Sequence, residues 1–180
     1  MIFIMVCGGP ASGKTTAFKS LEDYVARQGA YSSIDSSMRS SNIAVQLYRW
    51  ANEKSNDVMV VDSYGANVWT RKELLDILNS SANRDNITKV AIFLDRSNGF
   101  MYEHNKDEGH VQISETQMRN LMRSLQQPIH QEGFDVIYRI RFNDYLKCDD
   151  LFKTIEKKTG VKLTPADVAP KGKPEVTAML

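Results

Sequence analysis

Only two of the 180 residues are cysteine, Cys7 and Cys148, and they lie far apart with no metal-type pair between them. Cys7 sits inside an apolar run and reads as a buried free thiol, in keeping with a reducing cytoplasm. Long hydrophobic runs are missing too. The N-terminal run Met1–Cys7 has no basic leader and no small-residue cleavage site, and it is far too short to span a bilayer. It reads as a core strand. Neither sign of charge dominates: 23 Lys and Arg against 22 Asp and Glu leave a net charge of +1. That balance excludes a global basic field, so any nucleic acid would have to be held by a local groove. His104 and His110 lack partners at metal-ligand spacing and read as surface residues. There is no internal repeat and no sign of a second domain.

What is present is an ordinary globular composition, 42% hydrophobic and 25% charged, in a length that suits one full-sized core. Five β-favouring runs, Ile2–Cys7, Tyr31–Ile34, Val58–Asp62, Lys89–Asp95 and Val136–Phe142, alternate with helix-like segments. The latter are Lys14–Gln28, Met38–Glu53, Thr70–Ala82, Ser114–Gln127 and Tyr145–Thr159. Such alternation predicts βαβ units around a parallel sheet. The first and fourth strands are apolar without alternation, as strands covered on both faces should be. The polar stretch 96–112, with turn signals at Asn98-Gly99 and Glu108-Gly109, is long for a connector and reads as a lid or binding loop. Three of the five prolines fall between Thr164 and Leu180, which marks an extended or disordered tail. The expected division is one folded domain over 1–160, with a lid at about 96–113, and a tail over 161–180.

The strongest local signal is Gly8-Gly9-Pro10-Ala11-Ser12-Gly13-Lys14-Thr15, which fits G-x-x-x-x-G-K-[ST] in full. A strand runs into it and a helix follows, as a P-loop requires. Glycines let successive backbone N–H groups converge on phosphate oxygens, and the helix start adds its positive end. Lys14 is placed to reach the β and γ phosphates, and the Thr15 hydroxyl to ligate magnesium. By average residue usage the pattern arises by accident in roughly one chain of this length in a few hundred. The loop Gly8–Thr16 is therefore the expected ATP site.

An acceptor must be oriented from loops at the carboxyl ends of the strands. Asp35 follows the second strand, with Arg39 four residues on. They read either as a helix cap with a solvated arginine, or as a base for an acceptor hydroxyl with an anchor for an acceptor phosphate. Asp62 ends the third strand, where P-loop enzymes keep the carboxylate that holds magnesium; binding loop amides is the structural alternative. Arg119 and Arg123 share a face of the helix after the lid. They suit either a solvated basic face or neutralisation of the transferring phosphoryl group.

Together these residues resemble the 5′-kinase domain of bacteriophage-type polynucleotide kinases and related small P-loop kinases. The likeness rests on the loop Gly8–Thr16, on Asp35 and Arg39, on Asp62-Ser63, and on a polar lid before a helix opening after Ile113-Ser114. Its most discriminating part is the stretch Pro128-Ile129-His130-Gln131-Glu132-Gly133-Phe134-Asp135-Val136-Ile137. It spans roughly residues 1–142. The resemblance implies a nucleotide-kinase-like P-loop α/β fold, a three-layer sandwich with a five-stranded parallel sheet and a lid. It also implies transfer of phosphate from Mg-ATP to the 5′-hydroxyl of DNA or RNA, with Lys14, Asp35 and Arg39 catalytic. Two features depart from the pattern. The aspartate and arginine are four apart rather than three, and the lid offers Lys106 among acids where arginines are usual. Both touch acceptor choice and lid closure. A hydroxymethyl-pyrimidine in DNA, a nucleoside or nucleotide, or another small molecule is the alternative acceptor. An ATP-binding switch or partner protein is the non-enzymatic alternative. The expected setting is the cytoplasm, of a host cell if the chain is phage-encoded.

Overall fold

β1 (Ile2–Gly8) is buried along its whole length, and the molecule is organised around it. The computed structural model describes residues 1–28, 31–34, 40–53, 57–62, 65–107, 112–141 and 144–163. The other strands are β2 (Tyr31–Ile34), β3 (Val58–Asp62), β4 (Thr88–Asp95) and β5 (Val136–Arg141). All pairings are parallel, in the order β2-β3-β1-β4-β5. This is the five-stranded parallel α/β sheet that the strand–helix alternation predicts.

Alternate residues of β1 serve two separate cores, because successive side chains of a strand point to opposite faces. Ile2, Ile4 and Val6 pack with Phe18 and Leu21 of α1 (Lys14–Gln28) and with Leu151 and Ile155 of α6 (Cys148–Thr159). Phe3, Met5 and Cys7 pack with Ile43 and Leu47 of α2 (Ser40–Asn52) and Leu74 and Leu78 of α3 (Val68–Asn79). The non-alternating apolar sequence is thus explained by helices on both faces. Cys7 is a buried free thiol, as its apolar setting suggests.

The stretch read as a lid loop differs from expectation. It holds α4 (Asn98–His104) and leads to α5 (Glu115–Ser124). Asn98-Gly99 is not a turn but the start of α4, because the Ser97 side chain accepts a hydrogen bond from Phe100 N at 3.2 Å and caps the helix. His104 is partly exposed. It stacks on Phe100 and pairs through Nδ1 with Asp107 at 2.6 Å. α5 opens on a capping box formed by Ser114 and Gln117. The residues past 163 lie outside the described structure, as does His110. Among the described residues no helix is long and apolar enough to cross a membrane.

Candidate active site

The carboxyl end of β1 turns directly into the loop Gly8–Gly13, and α1 begins at Lys14. Ala11 and Gly13 take left-handed backbone, with φ of 53° and 90°, which curls the loop back over the helix start. The first turn of α1 carries no acid, so its positive end is not countered from within the helix. Ser12 is buried, and its hydroxyl has no hydrogen-bond partner among the described residues. The arrangement is a concave backbone surface of the kind that takes phosphate oxygens.

Lys14 Nζ donates to Gly9 O at 2.6 Å, folding over the loop it belongs to. Burial pushes its ammonium below the ordinary lysine range, while the charges of Asp62 and Cys7 pull the other way. Asp62 ends β3 beside Val6 of β1 and is 1% exposed. Thr15 Oγ1 donates to Asp62 Oδ2 at 3.4 Å. The start of α1 and the end of β3, distant in sequence, therefore bring an amine, a hydroxyl and a carboxylate together. The donor set fits magnesium, a hard cation that prefers oxygen and is held by one or two protein groups plus phosphate and water.

The other expected site residues fare differently. Asp35 and Arg39 lie outside the described residues. Arg119 donates to Glu115 at 3.0 Å, and contacts with Glu115 first and Tyr102 second raise its pKa. It is thus engaged within α5 and towards α4. Arg123 is exposed on the same helix, and Lys106 pairs with Glu103 at 3.1 Å. Neither is brought to Lys14 by any contact among the described residues.

Sequence reasoning missed Arg96. It follows β4 at the carboxyl edge, the position where such sheets bind ligands, and that is the signal which could have found it. Its Nε donates to Ser12 O in the loop Gly8–Gly13 at 3.4 Å and its Nη2 to Asp144 O at 2.6 Å. The guanidinium also lies 5.1 Å from the Phe100 ring centroid, and burial lowers its pKa. Arg96 therefore ties the segment before α4 to the loop Gly8–Gly13 and to the loop after β5.

No protein-family model matches this chain, and no curated protein matches it. Solved structures do. A fungal RNA kinase superposes with a TM-score of 0.64 at 17% identity, covering 92% of this chain and 91% of that one. Kti12 of Chaetomium thermophilum, solved with ADP-AlF3, gives 0.63 at 16%, covering 87% and 98%. The Mycobacterium tuberculosis APS kinase CysC, solved with AMPPNP and APS, gives 0.55 at 13%, covering 88% and 97%. At these identities the likeness speaks for the fold. The chain shares the α/β fold of these kinases.

Proposed function

We propose that this protein is an ATP-dependent kinase that transfers the γ-phosphate to a hydroxyl of a nucleic acid, with the 5′-hydroxyl of a polynucleotide as first acceptor. The observation that carries the reading is the meeting of Lys14, Thr15 and Asp62 under one phosphate loop. Thr15 and Asp62 would hold magnesium, which neutralises charge on the transferring phosphoryl group. Lys14 would leave Gly9 O for the β and γ phosphates, whose charge a buried ammonium prefers to a carbonyl. Asp35 would orient and deprotonate the acceptor hydroxyl, and Arg39 would grip the neighbouring phosphate.

Three observations favour a nucleic-acid acceptor over a small neutral one. The sequence resembles phage-type polynucleotide kinases, and an RNA kinase is among the structures of like fold. Trp69, on the first turn of α3, is 75% exposed, an indole of the kind on which bases stack.

The test is transfer of labelled γ-phosphate from Mg-ATP to a panel of acceptors. It includes 5′-hydroxyl DNA and RNA, DNA with hydroxymethyl-pyrimidines and blocked 5′ ends, nucleosides, nucleotides and sugars. Label on plain oligonucleotides is the expected result. Label confined to modified DNA or small molecules would keep the kinase and move the acceptor. ATP binding with no label anywhere would favour the nucleotide-binding switch. Asp35→Asn separates a base from a helix cap, since only a base predicts a large loss of turnover with ATP binding kept.

A further inference from the structure

Arg71 belongs to α3, outside the phosphate loop, yet its side chain is 0% exposed. A guanidinium has five N–H donors in a fixed fork, and here every one is used. Nε donates to Glu132 Oε2 at 2.6 Å, and Nη2 to Glu132 Oε1 at 2.8 Å and Gln127 O at 3.4 Å. Nη1 donates to Gly65 O at 2.9 Å and Gln126 O at 2.7 Å. Glu132 also accepts from Ile129 N at 3.0 Å. No donor remains for a ligand, so this cation is not a binding group.

What it joins is the informative part. Gly65 stands in the loop that leads from Asp62 to α3, and Gln126 and Gln127 form the chain leaving α5, the end of the lid. Gln126 N donates to Ala66 O at 2.8 Å and Val68 N to Gln126 Oε1 at 3.0 Å, so the two segments are stitched side by side. Each presses on the phosphate-loop strand. A Cβ on Gly65 would stand 2.4 Å from Cys7 Sγ, so only glycine allows that approach. A Cβ on Gly9 would meet Met101 Sδ of α4 at 2.5 Å and Leu125 at 3.3 Å. The loop after the metal-type carboxylate and the exit of the lid thus meet on one guanidinium, and both lie against Cys7 and Gly9 at the base of the phosphate loop. Burying an ion pair is weak evidence for stability, since apolar residues fill such a volume as well. Apolar residues would, however, leave the carbonyls of Gly65, Gln126 and Gln127 without their donor.

We propose that Arg71, clamped by Glu132, is a positioning residue for phosphoryl transfer, holding the loop after Asp62 and the lid exit in register with the phosphate loop. This rests on the kinase reading above.

Two variants test it. Arg71→Lys keeps a cation beside Glu132 but loses the fork that reaches three carbonyls. The double variant Arg71→Met with Glu132→Gln removes both charges and keeps the volume. The expected result, well below each melting temperature, is nearly unchanged affinity for Mg-ATP with kcat for transfer lower by about tenfold to a hundredfold. ATP hydrolysis without acceptor is expected to rise relative to transfer, because a lid out of register admits water. A lowered melting temperature with kcat and the transfer-to-hydrolysis ratio unchanged would overturn the proposal. So would failure of both variants to fold, which would make the pair purely structural. If wild-type protein binds ATP and phosphorylates nothing, it is the kinase reading that fails. If wild type transfers and both variants match it, only the role of Arg71 falls.

Discussion

Thr15 and Asp62 come from the start of a helix and the end of a strand 47 positions away, and they meet at 3.4 Å. If they hold magnesium, Asp62→Asn should lower kcat by roughly 10- to 100-fold and raise the magnesium concentration needed for half-maximal rate. Steady-state assays across a magnesium series would show it. A purely structural aspartate would leave that requirement unmoved. Lys14→Met should cost about 10²–10³-fold in transfer, the scale for removing one donor aimed at developing charge. Its melting temperature should hold, because the ammonium it removes is disfavoured by burial. Cys7 lies beneath the same loop, with burial pushing its thiol from 9.0 to about 12. Because the folded value is the higher, this thiol's contribution to stability is whole below pH 9 and is lost as pH rises towards about 12. Urea unfolding across that range should show a slope that Cys7→Ala removes. A thiol reagent should label Cys148 in the native protein and Cys7 only after denaturation.

Among the elements, α5 shows how a sequence marks a boundary. Ser114 followed three residues later by Gln117 is a capping-box pattern, and both of its hydrogen bonds form. Ser114→Ala should destabilise the helix by about 1 kcal/mol. Amide exchange should quicken within α5 and leave the sheet unchanged; uniform quickening would refute a local role. α4 was not legible for the opposite reason. Asn98-Gly99 is a strong turn signal on its own, and only the Ser97 cap with the packing of Met101 makes it a helix start. The strand-to-helix turn at Gly8–Thr15 was legible because its pattern is local, eight residues in fixed order. Arg96 and Arg71 were not, since their partners lie far along the chain: Ser12 and Asp144 for one, Gly65, Gln126 and Glu132 for the other.

For the whole molecule, strand order is the property least visible in the sequence. Apolar runs show that β1 and β4 are covered on both faces, but not that β1 lies between β3 and β4. Its two sets of side chains, like those of β3 and β4, serve both cores. Ile4→Ala should therefore cost about 2–5 kcal/mol and lower the single unfolding transition as a unit. Calorimetry showing one half melting apart from the other would contradict a shared strand.

That position has a kinetic side. Ile2 is in register with Val58 on one flank and with Thr88 on the other. During synthesis β1 precedes both of its neighbours, so one apolar edge stays open until β3 has followed and the other until β4 has followed. Contacts so distant in sequence make for slow closure and a long exposure to wrong partners. Maturation in the cell should depend on whatever shields β1 until both neighbours arrive.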